Sequence, residues 1–163
     1  MKSKKIQMIS LSAIIAALYV VLTMLASAMG LSSMPVQLRF SEALTVLPVF
    51  TSAAIPGLVI GCVIANFLSG ALIWDVIFGS LATLIGAVLT YVLRKHKIIA
   101  LLPPILSNTI IVPFVLVYAY GIEGTVWLFM LTVGLGELLS CGVLGYFLGE
   151  ILEKRGIGAW LRR

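Results

Sequence analysis

The stretch RFSEALTVLPVF, residues 39–50, places an arginine and a glutamate three positions apart at the start of an apolar run. Residues at this spacing share one face of a helix, so Arg39 and Glu42 can form an ion pair. Charges are scarce in this chain, because 61% of its 163 residues are hydrophobic and only 10% are charged. An ion pair between these two residues therefore predicts a polar site at the start of this apolar segment.

The composition predicts an all-α membrane protein. A mean hydropathy of +1.19 over 163 residues is more than a small globule in water can bury, because much of its surface stays exposed. A membrane-spanning helix needs roughly 20 apolar residues to cross about 30 Å of hydrocarbon. The chain therefore has room for five or six such helices and for no separate soluble domain.

Apolar runs between chain breakers predict one integral-membrane domain, residues 1–163, with six transmembrane helices. The predicted helices are 6–29, 36–50, 53–70, 73–93, 99–120 and 125–151. The first resembles a signal peptide but is too long for one, so we interpret it as a retained helix. The second is short for a full span, and Pro48 disturbs its inner end, so a re-entrant segment is the alternative there.

The cations predict the orientation of the bundle. They form three groups at the ends of apolar runs, apart from Arg39: Lys2, Lys4 and Lys5; Arg94, Lys95 and Lys97; Lys154, Arg155, Arg162 and Arg163. This is the positive-inside pattern, so we expect a multi-pass protein of the cell membrane with both termini in the cytoplasm. The same distribution argues against nucleic acid as a partner.

Small residues recur at four-residue spacing on two predicted helices. Gly57 and Gly61 are followed at the same interval by Ala65 and Ser69, and helix 1 carries Ala13 and Ala17. Such stripes let a neighbouring helix backbone come close in a membrane. For helix 1, the neighbour could equally belong to another protein.

Polar side chains within the predicted spans are the candidate functional residues. An ionisable group in hydrocarbon costs at least ~2.5 to 3.5 kcal/mol, so each must face protein or water. The acids are Glu42, Asp75 and Glu137, and the neutral amides are Asn66 and Asn108. Each has a structural alternative, since a buried carboxylate or amide can also serve only to join helices.

Glu137 is the strongest candidate of this set. It lies twelve residues beyond Thr125, about 18 Å along the last helix and close to the middle of the bilayer. Gly134 and Ser140 lie about one turn away on either side and leave space for a ligand atom or a water molecule.

Two aromatic residues near the predicted outer side could contact a flat ligand. Trp74 precedes Asp75, and a planar ring next to a hydrogen-bond acceptor suits a flat donor ligand. Tyr118 lies at a similar depth. The alternative is an ordinary aromatic belt at the membrane interface.

The chain carries none of the sequence motifs that support enzyme, metal or cofactor chemistry. HExxH, GxSxG and a glycine-rich phosphate loop are all absent from the sequence. Cys62 and Cys141 lie in apolar stretches without metal-ligand spacing, which favours packing roles. We therefore expect no catalytic residue, no bound metal and no cofactor.

Four segments resemble one known family. They are LRFSEALTVLPVFTSAAIPGLVIGCVIANFLSG, WDVIFGSLATLIGAVLTYVLR, LPPILSN and GLGELLSCGVLG, and the similarity runs from Ala13 to about Leu152. The run Ser41 to Leu44 and the block Phe78 to Leu84 are the most specific parts. The chain resembles the QueT family of substrate-binding S components from energy-coupling factor (ECF) transporters.

This resemblance implies a non-enzymatic capture subunit of an ATP-driven importer. Its substrate would be a queuosine precursor: a 7-deazaguanine such as the 7-cyano or 7-aminomethyl compound, or queuine. Its partners would be a transmembrane coupling protein and two ATPase subunits. S components dock on the coupling protein through an Ala-x-x-x-Ala pattern in helix 1, which Ala13 and Ala17 match.

The polar residues suggest how such a ligand could be held. Glu137 could accept the adjacent N1 and N2 donors, and Asp75 or Glu42 could meet a cationic aminomethyl group. Asn66 or Asn108 could contact O6, while Trp74 or Tyr118 stacks on the ring. Arg39 and Glu42 could hold the entry loop closed over the ligand.

Three alternatives remain open from the sequence. The first is an S component for another flat nitrogenous vitamin, because the fold would look the same. The second is an intramembrane enzyme with Glu137 as base, which lacks a paired nucleophile or metal cluster. The third is a scaffold subunit without transport activity.

Overall fold

A computed structural model describes residues 2–31 and 36–162 of the chain, with the side chains of residues 2 and 3 excluded. Every regular element in these ranges is helical, which confirms the all-α prediction. The α-helices are α1 Lys2–Ala28, α2 Ala54–Leu68, α3 Ile73–Val92, α4 Leu102–Tyr118, α5 Val126–Glu137, α6 Gly145–Lys154 and α7 Ile157–Leu161. The predicted cytoplasmic cation Arg163 lies outside the described residues.

Three further helical segments complete the described chain. A 3₁₀ helix, Phe40–Val49, follows α1, and we call it the central 3₁₀ helix. A single 3₁₀ turn, Ile99–Leu101, leads into α4. A π-helical segment, Leu138–Leu144, joins α5 to α6 without a break, so the last long helix predicted from the sequence is continuous to Lys154.

Four of the helical passages are long and apolar enough to cross a membrane. They are Lys4–Ala28, Ile73–Val92, Ile99–Tyr118 and Val126–Lys154. The central 3₁₀ helix and α2 are also apolar but have only 10 and 15 residues. At about 1.5 to 2 Å of rise per residue, each covers roughly 20 Å, which is less than the hydrocarbon thickness.

The distribution of side chains is that of a bundle whose solvent is lipid. Large apolar residues face outward along the helices, for example Ile14 and Val21 on α1, which are 56% and 61% exposed. Polar residues such as Ser41, Thr45 and Asn108 are buried instead. Water would favour the reverse arrangement, so the outer surface is made to contact acyl chains.

The central 3₁₀ helix differs from the predicted second helix. The sequence predicts an ordinary α-helix that begins at Val36. In the structure, Arg39 has extended backbone (φ −118°, ψ 105°) and a 3₁₀ helix begins at Phe40. Pro48 lacks the N–H that an α-helix would require, and the Thr45 hydroxyl bonds the Glu42 carbonyl at 2.6 Å. Runs of 3₁₀ helix this long are uncommon.

The central 3₁₀ helix forms the core of the molecule. It packs against α1, α2, α3, α6 and the π segment, and eight of its ten residues are buried. One apolar cluster joins Leu44 and Leu47 to Ile15 of α1 and Leu58 of α2. A second joins Val46 and Val49 to the 3₁₀ turn before α4. Enclosure by the other helices explains how this short segment, with its buried polar residues Ser41, Glu42 and Thr45, can occupy the middle of the bundle.

The basic groups gather at one end of the bundle. Lys4 of α1, Arg94 and Lys97 after α3, and Arg162 after α7 line a single cavity. Both ends of the described chain therefore lie on the same side. The opposite end holds the end of α1, the start of the central 3₁₀ helix, and the connections from α2 to α3 and from α4 to α5.

The glycine stripe predicted for tight packing is confirmed at the α1–α2 contact. A Cβ added at Gly57 would lie 2.8 Å from the Ser12 carbonyl oxygen, and one at Gly61 would lie 2.7 Å from Cβ of Tyr19. The helices approach this closely only because both positions lack a side chain.

We expect Gly61→Ala to destabilise the protein by about 1–3 kcal/mol, because the added methyl group overpacks the α1–α2 contact. Gly145→Ala is the matched control, since its added Cβ would meet no atom closer than 3.5 Å. Thermal unfolding of both variants in one detergent measures the difference. Equal melting temperatures for the two variants would contradict the close approach of α1 and α2.

Candidate functional site

Two carboxylates from distant parts of the sequence meet in the interior. Glu42 lies on the first turn of the central 3₁₀ helix and is 2% exposed, and Glu137 ends α5 and is 8% exposed. One carboxylate oxygen of each, together with Sγ of Cys141, lies within 4.8 Å of the others. Two acids at this separation in a dry interior need protons or a bound donor between them.

The Glu42 carboxylate is only half satisfied by the protein. The hydroxyl of Tyr19, from α1, donates a short hydrogen bond to its Oε1 atom. Its Oε2 atom is buried and has no hydrogen-bond partner. A buried acceptor without a partner costs about 1–3 kcal/mol, so this oxygen is available for a ligand donor.

The predicted ion pair between Arg39 and Glu42 is wrong. Within the described parts of the chain, the ion pairs are Lys97–Glu153 and Arg162–Glu153. The Arg39 guanidinium instead lies 3.5 Å from Oε1 of Gln37. The two residues do not share a helix face, because Arg39 precedes the helix in extended backbone.

Arg39 still links the entry of the central 3₁₀ helix to the last helix. Its backbone N–H donates to the Ser140 hydroxyl at 3.2 Å. Its guanidinium interacts electrostatically with Asp75, Glu42 and Glu137, so all three candidate acids experience this cation.

Side chains from three elements surround the Glu137 carboxylate. The thiol of Cys141, one turn further along, donates to its Oε2 atom at 3.1 Å. The Thr45 hydroxyl lies 3.3 Å from the same sulfur, and the Asn108 side chain of α4 lies next to the carboxylate. The π segment begins directly after Glu137, and such segments are frequent at functional sites.

The cluster of Glu42, Glu137 and Cys141 has the residue types of a metal site but not its hydrogen bonding. A metal would require the thiolate form of Cys141 as ligand, whereas the thiol here donates to Glu137. Glu42 is likewise bound to the Tyr19 hydroxyl.

A second polar group lies towards the opposite end from the basic residues. Asp75, on the first turn of α3, accepts from the Tyr120 hydroxyl at 3.2 Å, and the Leu72 N–H donates to the same hydroxyl at 3.1 Å. Burial raises the pKa of Tyr120, which keeps its hydroxyl a donor. Asn66 lies close by, since its Nδ2 and Oδ1 of Asp75 both flank Gly79.

The aromatic candidates lie away from the two buried acids. Trp74 and Tyr118 are 54% and 76% exposed. They line an outward-facing apolar groove of about 410 Å³ between α3 and α4, together with Phe78 and Phe114. The structure therefore does not bring them to Glu42 and Glu137, and their predicted stacking role stays a prediction that needs a rearrangement.

Two residues of the site were not identified from the sequence. The sequence pattern predicts Tyr19 only as part of an apolar helix, and Cys141 as a packing residue. A signal for Tyr19 was present, because a tyrosine hydroxyl in mid-membrane needs a hydrogen-bond partner. Cys141 lies four residues after Glu137, on the same helix face, and this spacing could also have indicated contact.

Ala13 and Ala17 lie outside this site. Both are exposed on α1, on a face that contacts no other helix closely enough to bury them. Ile15, Ala16 and Tyr19, by contrast, are the buried residues with which α1 packs on the bundle.

Comparison with known proteins supports a transport function. The family model described as QueT transporter matches residues 9–154. The queuosine precursor transporter QueT of Lactococcus lactis subsp. cremoris (strain MG1363) is 45% identical over 85 residues, which are 52% of this chain and 50% of that protein. The match thus spans about half the length of that relative. No solved structure matches the chain.

We expect Tyr19→Phe to destabilise the protein by about 1–3 kcal/mol, because it leaves both Glu42 oxygens without a partner. Tyr146→Phe is the control, since Tyr146 is 42% exposed on α6. Chemical or thermal unfolding in detergent measures both. A Tyr19→Phe variant as stable as wild type would show that the Tyr19–Glu42 bond contributes nothing to folding.

Proposed function

This chain belongs to the QueT transporter family, and on that premise we propose that it captures a queuosine precursor from outside the cell for ATP-driven uptake. It would act as the substrate-binding S component of an ECF transporter. ATP hydrolysis would take place in partner subunits. The family assignment supports transport rather than enzymatic chemistry.

The observation that carries this proposal is the unpartnered Oε2 atom of Glu42 beside Glu137. A folded protein rarely leaves a buried carboxylate oxygen without a donor unless the site has a use for it. The two acids lie between α1, the central 3₁₀ helix, α4 and the π segment. A ligand that supplies several N–H donors would satisfy both carboxylates at once.

A 7-deazaguanine has the donors that this site lacks. Its N1–H and N2–H₂ groups lie side by side and can be accepted together by one carboxylate, for which we propose Glu137. Glu42 would accept a further donor through Oε2, and the cationic aminomethyl group is the best candidate. Asn108, next to Glu137, would donate to O6.

The remaining polar candidates receive secondary roles in this proposal. Arg39 would balance the negative charge of the acids, and Asp75 with Asn66 would contact the ligand on its way from the outer end. Trp74 and Tyr118 would stack on the ligand only if α3 and α4 rearrange during entry. These assignments follow from where each side chain lies relative to the two acids. Ligand affinities of variants at these positions test them.

The basic end supports a proposed orientation in the membrane. Cations from all three charged groups of the sequence line one cavity there, and under the positive-inside rule this end would lie in the cytoplasm. We propose that all six helical passages lie in the cell membrane, with both termini inside. The two buried acids would then be reached from the outer end, where Arg39 and Asp75 lie.

We also propose that the exposed face of α1 docks on the coupling protein. Ala13 and Ala17 are one turn apart and both exposed, so a partner helix can approach the α1 backbone there. The partner module would be one transmembrane coupling protein and two ATPases.

Purified protein in detergent should bind at least one of queuine, 7-cyano-7-deazaguanine and 7-aminomethyl-7-deazaguanine, and should bind guanine and thiamine far more weakly. Glu137→Gln and Glu42→Gln should each weaken binding roughly 10- to 100-fold, because each removes a charge-assisted hydrogen bond. Isothermal titration calorimetry gives the affinities.

Glu150→Gln is the matched control, because Glu150 lies on α6 near the basic end and away from the two acids. Full affinity of Glu137→Gln for every deazaguanine would refute the assigned contact. Tighter binding of thiamine than of any deazaguanine by folded wild-type protein would favour an S component for a different vitamin.

Ala17→Leu should abolish copurification with the coupling protein and ATPases while ligand binding is retained, because a leucine keeps the partner backbone away. Ala28→Leu, at the far end of α1, is the control and should copurify normally. Affinity purification from membranes, with the partners identified by mass spectrometry, measures this. Unchanged copurification of Ala17→Leu would place the docking surface elsewhere.

A further inference from the structure

A large cavity of the described structure lies away from the two acids. It has a volume of about 640 Å³ and lies at the basic end, between the start of α1, the segment after α3 and the end of the chain. Its lining includes five cations and one carboxylate: Lys4, Arg94, Lys95, Lys97, Arg162 and Glu153. The cavity is therefore strongly positive.

The single carboxylate is already engaged. Glu153 holds Lys97 through one oxygen and Arg162, at 2.7 Å, through the other. Lys4, Arg94 and Lys95 have no carboxylate partner among the described residues. Three cations around one cavity without a counter-charge are matched best by an anion from outside the protein.

The walls of the cavity are fixed by specific packing. Gly156 has a left-handed backbone (φ +73°) and turns the chain back, so that α7 lies beside Phe50. A Cβ at Gly158 would come within 2.9 Å of the Phe50 ring, and the Arg162 guanidinium lies 5.1 Å from the centre of that ring. The Arg94 guanidinium lies 4.0 Å from the centre of the Tyr91 ring. These contacts position Arg162 and Arg94 at the rim of the cavity.

The surroundings of the cavity favour a lipid over a soluble anion. Met8, Leu11 and Val49 contribute apolar surface to its lining. Next to the cations in sequence, Ile6 and Ile98 are 64% and 72% exposed and belong to the lipid-facing surface. Trp160, which also lines the cavity, is half exposed, as expected at a membrane interface.

We propose that this cavity binds the headgroup of an anionic phospholipid. Lys4, Arg94 and Lys95 hold the phosphate, and Trp160 packs against the glycerol region. The acyl chains lie against the isoleucines outside the cavity. Basic cavities between membrane helices on the cytoplasmic side are known to suit such headgroups.

The test uses the purified full-length chain in mixed micelles that contain phosphatidylglycerol or phosphatidylcholine, with bound lipid counted by native mass spectrometry. Wild type should retain phosphatidylglycerol in preference to phosphatidylcholine. The double variant Arg94→Gln/Lys95→Gln should retain it roughly tenfold less, because two cations near the phosphate are lost.

The matched control is Lys154→Gln/Arg155→Gln, which removes the same charge at the same end from residues that do not line the cavity. It should lose less than about threefold, since only the general surface attraction changes. Equal losses for the two double variants would overturn the proposal in favour of non-specific charge. Equal retention of the two lipids by wild type would overturn it as well.

Two further measurements separate the remaining possibilities. Glycerol 1-phosphate at millimolar concentration should not displace the lipid, and displacement would instead assign the cavity to a soluble anion. A photoactivatable phosphatidylglycerol should label wild-type protein within residues 4–11, 91–98 or 157–162, and labelling elsewhere would overturn the proposal without any variant. Loss of copurifying ATPases from the double variant, with lipid binding unchanged, would assign the surface to a protein partner.

Discussion

The hydrogen bond from Tyr19 to Glu42 both joins two helices and gives a buried carboxylate a donor inside the membrane fold. In lipid, a buried carboxylate must find its donors within the protein. Tyr19 supplies one donor and thereby fixes α1 against the central 3₁₀ helix. The remaining helices then enclose that short element, and Glu137 is brought to the same place from the other end of the chain.

The central 3₁₀ helix contributes both to the packed core and to the proposed binding site. It is too short to span a bilayer alone, and its first turn carries a carboxylate, so it depends on α1, α2, α3 and the last helix for its position. The unpartnered oxygen of Glu42 is a cost to the folded state that a ligand would relieve. A site of this kind couples ligand binding to the packing of nearly every helix in the bundle.

The two ends of the molecule carry different charged groups and different proposed roles. The acids lie within reach of the end that holds Arg39 and Asp75, whereas the cations line a large cavity at the opposite end. α1 contributes to both regions and also exposes Ala13 and Ala17. Proposed ligand capture, partner docking and lipid binding therefore use different faces of one compact bundle, and variants can separate them.

The sequence by itself determined the all-helical class, most helix boundaries, the glycine stripe of α2, and the residues that lipid would not tolerate. These follow from local rules: the length of apolar runs, the spacing of small residues and the cost of charge in hydrocarbon. Only the tertiary structure decided that Glu42 bonds Tyr19 rather than Arg39, that Trp74 and Tyr118 face away from the acids, and that residues 40–49 wind as a 3₁₀ helix. Those outcomes depend on which elements surround a residue, because a buried polar atom takes its partner from whatever the fold places beside it.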